Sequence, residues 1–142
     1  MRKLVVLPLV VALGGLVAAA GSASTAATQW KAKLSASDVK PKQAVKNTSA
    51  SGTFSAKAVG NQLQFKLTFN KLSGPATGAH IGYGKKGKPG NFSLALCAPC
   101  PNPTVNTAGL NPALVSAFKN GLLYVEVVTR KNPNGEIRGQ LG

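Results

Sequence analysis

The clearest feature of the chain is an alternation of apolar and polar positions with a period of two, typical of β-strands with two distinct faces. The alternation is cleanest over 62–69, where Leu63, Phe65 and Leu67 share one face. The same period predicts strands over 29–35, 53–59, 77–83, 91–96, 121–128 and 136–141. Seven short strands separated by turn signals at near-regular spacing predict an all-β, antiparallel sandwich or barrel.

The segment 121–141 predicts a β-hairpin that closes the domain. Its two strands flank Asn-Pro-Asn-Gly at 132–135, a sequence rich in turn-forming residues. Glu126, Glu136 and Arg138 fall on these strands, and Arg130 lies nearby in sequence. Cross-strand ion pairing is therefore the expected use of the two carboxylates, which makes the hairpin structural. The alternative is a carboxylate pair of the kind that hydrolyses glycosides.

Three further stretches complete the expected layout. The strand over 29–35 is expected at an edge of the sheet. The polar stretch 38–51, interrupted by Pro41, is expected to form a long loop. One short helix is predicted near 111–120, because Asn111 suits an N-cap and a proline follows it at the first helical position.

The N-terminus has the features of a secretory signal peptide. Basic residues at positions 2 and 3 precede an apolar run over 4–20, and small residues follow. We expect a signal peptide over 1–27, cleaved somewhere in 20–27, and one secreted domain over 28–142. The alternative is an uncleaved membrane anchor, but the run is at the short end of the ~20 residues that a span needs. No membrane span is expected after signal removal.

The charge of the chain is strongly positive. It has 17 Lys and Arg against 3 Asp and Glu, a formal net charge of +14. Without the basic residues at positions 2 and 3, 15 basic and 3 acidic residues leave the mature domain at +12. This balance predicts attraction to extracellular or cell-wall polyanions. Lysine dominates, and it lacks the bidentate fork of arginine, so no specific nucleic-acid recognition is expected. The alternative is a solvated, solubilising surface.

The amino-acid sequence of the hairpin resembles that of a known family. The run G-L-L-Y-V-E-V-V-T over 121–129, a Pro/Gly turn and the closing G-E-I-R-G-Q-L over 135–141 are similar to the end of the CHRD domain, first described in chordin. The strand beginning at Trp30, the G-T-F over 52–54 and the segment 72–81 also resemble it. The resemblance implies an immunoglobulin-like Greek-key β-sandwich without established catalytic activity. It indicates a non-enzymatic extracellular binding or structural module.

His80 is the one histidine of the chain. The family segment usually reads H-I-H and its late strand V-N-V-H-T, whereas this chain has Gly82 and Val128 at the second and third histidine positions. A lone histidine cannot supply the three or four ligands that zinc or copper requires. No metal and no other cofactor is therefore expected, and His80 is interpreted as structural. The alternative is a degenerate relative of superoxide dismutase.

Cys97 and Cys100 are the two cysteines. In an exported chain this spacing predicts a disulfide. The alternative is a thioredoxin-like redox pair, which needs a cysteine activated at a helix N-terminus. The prolines at 101 and 103 argue against a helix there.

The Gly/Lys loop over 82–90 contains the spacing G-x-G-x-x-G, but a proline and a strand follow where nucleotide binding needs a helix. Its three lysines, Lys85, Lys86 and Lys88, are the best local candidates for polyanion contact. The alternative is a solvated turn. No catalytic residue is proposed anywhere in the chain.

Overall fold

The structure is a computed structural model that describes residues 14–15, 28–41 and 49–142. The predicted signal peptide lies outside the described residues except for Gly14 and Gly15. Residues 42–48 of the predicted loop lie outside them as well.

The described part of the chain forms eight strands, a 3-10 turn and one α-helix. In chain order these are β1 (Thr28–Ser35), the turn (Ala36–Asp38), β2 (Ser51–Val59), β3 (Gln62–Asn70), β4 (Ala76–Tyr83), β5 (Asn91–Cys97), β6 (Thr104–Gly109), α1 (Pro112–Lys119), β7 (Leu123–Thr129) and β8 (Ile137–Gln140). The seven predicted strands are present within two residues at each end, and the predicted helix is confirmed.

Strand β6 was not predicted, because its sequence carries no apolar alternation. Its one large apolar side chain, Val105, points outward and is 71% exposed. Asn106 and Thr107 are exposed as well. The strand exists because it pairs antiparallel with β3, from Gln62 opposite Gly109 to Leu67 opposite Thr104.

The eight strands form one antiparallel sheet in the order β5-β4-β7-β8-β1-β2-β3-β6. The edge strands β5 and β6 contact each other, so the sheet nearly closes into a barrel. The predicted all-β antiparallel class is confirmed. The immunoglobulin-like sandwich expected from the family resemblance is not shown, because hydrogen-bonded pairing continues through all eight strands. The edge position predicted for β1 is wrong, since β1 lies between β8 and β2.

The junction of β8 with β1 joins the two halves of the sheet. Ser35 pairs with Arg138, and Lys31 exchanges two backbone hydrogen bonds with Gly142 at 3.1 and 2.9 Å. Between these points the backbones approach so closely that a Cβ on Gly139 would lie 2.7 Å from the carbonyl carbon of Lys33. A glycine is therefore required at this position.

Helix α1 packs its apolar side chains against the core. The Asn111 side chain accepts a hydrogen bond from the Leu114 backbone N–H at 2.9 Å, which caps the helix as predicted. Phe118 stacks on the fully buried Trp30 with ring centroids 4.3 Å apart. No helix among the described residues is long and apolar enough to cross a bilayer.

Candidate functional site

The outer surface of the barrel has two contrasting parts. On β7 and β8 the outward side chains of Tyr124, Glu126 and Arg138 are 3%, 6% and 2% exposed, so this part is covered by other groups. On β1, β2 and β3 the outward positions alternate with the core positions and are mostly exposed. The candidate functional groups therefore fall into two sets. The first is a covered cluster of His80, Tyr124, Glu126 and Arg138, and the second is an open basic surface.

His80 lies in the covered cluster, directly opposite Glu126 in the pairing of β4 with β7. Its Nε2 is 3.5 Å from Glu126 Oε1, and its side chain is 16% exposed. The ring packs between Phe92, at 5.3 Å between centroids, and Tyr124, at 6.4 Å edge-on. The structure therefore gives the histidine a carboxylate and two aromatic rings as its surroundings.

The space beside His80 that a side chain at position 82 would need is filled by the Tyr124 ring. A Cβ on Gly82 would lie 2.6 Å from Tyr124 Cε2 and closer still to Cζ. The family usually has its second histidine at position 82. In this chain that position is glycine, and the Tyr124 ring fills the space that the histidine side chain would need. Among the described residues, no group of three or more His, Cys, Asp or Glu side chains could hold a metal ion.

Arg138 completes the covered cluster without a carboxylate partner. Its guanidinium lies over the Tyr124 ring, with Cζ 3.6 Å from the centroid, and Nη2 donates to the Lys85 carbonyl at 3.3 Å. Arg138 Nη1 and Glu126 Oε2 are buried without hydrogen-bond partners. Burial raises the pKa of the Tyr124 phenol, Glu126 raises it further and Arg138 lowers it. The cation–π contact replaces the expected ion pair.

Glu136 forms a separate, buried hydrogen-bonded cluster. Its carboxylate accepts hydrogen bonds from the Ser73 backbone N–H at 2.9 Å and from the Ser73 hydroxyl. Thr129 Oγ1 donates at 3.0 Å and Asn132 Nδ2 at 2.7 Å. Burial tends to raise the pKa of Glu136, but these hydrogen bonds outweigh it and lower the pKa. The carboxylate joins the β7–β8 turn to the β3–β4 loop, and Arg130 is not among its partners.

The two cysteines form the predicted disulfide, Cys97–Cys100, with an S–S distance of 1.97 Å. It lies at the end of β5, and the Cys100 backbone N–H donates to the Ala76 carbonyl at 3.1 Å. The next regular element is β6, a strand. The pair thus lacks the helix N-terminus that activates the first cysteine of thioredoxin-like sites.

The Gly84–Gly90 loop folds over the covered cluster. The Gly84 N–H donates to the Leu122 carbonyl at 2.7 Å, and Gln140 Nε2 donates to the Gly84 carbonyl at 2.9 Å. A Cβ on Gly90 would lie 2.5 Å from Tyr124 Cε1, so the backbone rests directly on the ring. The three candidate side chains of this loop, Lys85, Lys86 and Lys88, are exposed.

Comparison with known protein families gives a match that spans the barrel. A family model described as CHRD domain matches residues 30–141. The chain belongs to the CHRD domain family. The match runs from Trp30 in β1 to Leu141 just after β8, so it includes the covered cluster and the Gly84–Gly90 loop. No curated protein and no solved structure matches the chain at a significant level.

The CHRD domain also carries a group of lysines that the sequence interpretation did not bring together. Lys31 and Lys33 project outward from β1, Lys57 from β2 and Lys66 from β3, and all four are exposed. We call these four lysines the lysine face. Their outward positions were visible in the alternation of the sequence, but their proximity depends on strand pairing, which the alternation does not specify.

The three carboxylates of the CHRD domain do not lie on this face. Glu126 and Glu136 are buried, as described above. Asp38 follows β1 in the 3-10 turn, where it accepts a hydrogen bond from the Ser35 hydroxyl at 2.9 Å. The lysine face and the Gly84–Gly90 loop are therefore two basic surfaces without acidic side chains among their outward residues.

Proposed function

We propose that this CHRD domain protein is an exported, non-enzymatic module that binds extracellular polyanions through its basic surface. The observation that carries the proposal is the burial of carboxylates. Of the 3 acidic residues in the chain, Glu126 and Glu136 are buried, whereas most of the described lysines are exposed. Exposed cations without neighbouring anions create a positive potential that attracts polyanions.

The predominance of lysine over arginine on the surface favours binding that depends on charge density and not on a specific geometry. Arg138, one of the two arginines in the mature domain, is 2% exposed and used within the covered cluster. The basic surface therefore consists mainly of lysines, which act as hydrated point charges and impose little geometry on a ligand. Such a surface is suited to flexible anionic polymers.

The surroundings of the reactive groups support a non-enzymatic role. The cysteines are joined to each other, and the Glu136 carboxylate is occupied by hydrogen-bond donors from three residues. His80 contacts one carboxylate, that of Glu126, and its ring lies between the rings of Phe92 and Tyr124. A dismutase-like activity would need further metal ligands, and a redox activity would need an activated thiol.

Binding to an acidic polymer should decrease steeply with salt. If about three lysines displace counterions, the affinity for polygalacturonate falls about 15- to 60-fold between about 50 and 200 mM salt. Binding isotherms of the purified protein at several salt concentrations measure this, with neutral dextran as the control polymer. Absence of binding, or binding that is independent of salt, would contradict the proposed function.

A further inference from the structure

We propose that the lysine face is the polymer-binding site of this CHRD domain and that its ligand is an acidic polysaccharide. The inference rests on the proposed function and assigns it a location and a ligand class. The register places the lysines in a regular pattern. Lys31 pairs with Ser55, which pairs with Lys66, and in the adjoining row Lys57 pairs with Gln64.

The spacing of these charges is set by the geometry of the sheet. Residues two apart along a strand are about 7 Å apart, and neighbouring strands are about 4.8 Å apart. Lys31 and Lys33 are therefore separated by about 7 Å at their backbones, and Lys31 and Lys66 by about 10 Å across β2. Because the backbone of a sheet fixes these positions, the anchor points of the charges are already ordered before a ligand binds. A chain with anionic groups at similar intervals can contact several lysines at once.

The neighbours of the lysines favour a sugar chain. Between and beside them lie side chains with hydroxyl or amide groups, which can both donate and accept hydrogen bonds as sugar hydroxyls require. These are Gln29, Thr53, Ser55, Gln64, Thr68 and Thr107. Thr53 and Thr68 are hydrogen-bonded to each other through their hydroxyl groups at 2.5 Å.

The surface shape is consistent with an extended ligand. A shallow groove of about 490 Å³ runs over Ser55, Lys57 and Lys66 toward β6. A second groove of about 420 Å³ runs over Lys31, Lys33 and Ser55. Ser55 lines both, so the two grooves adjoin and together reach all four lysines. Two adjoining grooves over neighbouring strands fit a polymer segment better than a single small anion.

The composition of the face disfavours nucleic acid. No aromatic or arginine side chain projects outward among the described residues of β1, β2, β3 and β6. Stacking on aromatic rings provides much of the affinity for single strands, and arginine forks provide bidentate contacts to phosphate and guanine. Val59 at the end of β2 and Val105 on β6 are the large apolar side chains that face outward on these strands, and Val105 pairs with Lys66.

A charge-matched pair of triple variants tests the location. In K31Q/K57Q/K66Q the lysine face loses three charges, and in K85Q/K86Q/K88Q the Gly84–Gly90 loop loses three. We expect the first variant to reduce affinity for polygalacturonate at least about tenfold at low salt, since each lysine near an anionic surface contributes about a factor of five. The second variant should change it less than about threefold. Both substitute exposed side chains, and equal unfolding midpoints verify the fold.

The outcomes separate this inference from the proposed function. An equal or larger loss in the loop variant would overturn the location and leave the proposed function standing. Wild-type protein that binds no acidic polymer would overturn the proposed function itself. A double-stranded DNA fragment that competes better than polygalacturonate at equal charge concentration would overturn the polysaccharide class. Weaker competition by DNA, with the expected variant order, supports the inference.

Discussion

Glu136→Gln is expected to lower the free energy of unfolding by about 2–4 kcal/mol at neutral pH, because hydrogen bonds to a charged acceptor are each worth about 1.5–3 kcal/mol. The carboxylate is 0% exposed and accepts from Ser73, Thr129 and Asn132. The amide of glutamine accepts at one end only and turns its NH₂ group toward the remaining donors. Urea unfolding monitored by tryptophan fluorescence measures the effect, since Trp30 is the single tryptophan and is fully buried.

The same carboxylate predicts a specific pH dependence. Because folding lowers the pKa of Glu136, its stabilisation is fully present above the unfolded-state pKa and is lost as the pH falls through the folded-state pKa. The stability difference between wild type and Glu136→Gln should therefore shrink on acidification. Asp38→Asn, an equal change of charge at an exposed side chain, serves as the control and should cost little. A difference for Glu136→Gln that stays constant down to acid pH would contradict this role.

Gly139→Ala should destabilise the domain by about 2–3 kcal/mol, a cost typical of forcing extra atoms into a packed site. The added methyl would meet the backbone of Lys33, which cannot rotate away as a side chain would. The contact lies where β8 meets β1, so the variant acts on the junction that makes the eight strands one sheet. Thermal and urea unfolding measure the effect.

Gly109→Ala is the matched control for the junction. Gly109 is the last residue of β6, and a Cβ there would meet nothing within 4 Å. We expect this substitution to change the unfolding free energy by less than about 0.5 kcal/mol, as for other unconstrained surface sites. Equal effects of the two alanine substitutions would argue against a close β8–β1 contact.

The elements that could be predicted from the sequence are those with a local signal. Period-two alternation identified seven strands, and Asn111 before a proline identified the helix start. Strand β6 has no such signal, since its stability comes from pairing with β3 rather than from an apolar face. The continuous eight-stranded sheet could not be predicted either, because alternation determines which side chains face inward but not which strands become neighbours.

The candidate site shows the same division. The disulfide was predicted from the spacing of the two cysteines, and the three loop lysines were chosen as candidates because they lie close together in the sequence. The partners of Glu126, Glu136 and Arg138 were not predicted, since pairing of opposite charges within the hairpin was favoured over the polar groups and aromatic rings that surround these side chains in the structure. His80 lies 46 positions from Glu126 in the chain but opposite it in the sheet. The lysine face also depends on register, and its four members are spread over three strands.

The barrel of this CHRD domain therefore has two contrasting surfaces. The covered cluster of His80, Tyr124, Glu126 and Arg138 lies under the Gly84–Gly90 loop and contains the one histidine of the chain. The lysine face is open and has no carboxylate among its outward residues. We propose that polyanions bind at the open surface, because its lysines have no acidic neighbours, whereas the side chains of the covered cluster are largely occupied by contacts within the protein.

The most direct test of this assignment is to map amide chemical shifts of the ¹⁵N-labelled protein during titration with a short oligogalacturonate. We predict that the shifts concentrate on β1, β2, β3 and β6, with the largest changes around Lys31, Ser55 and Lys66, and that added salt reverses them. Shifts concentrated instead on the Gly84–Gly90 loop or around His80 would contradict the assignment.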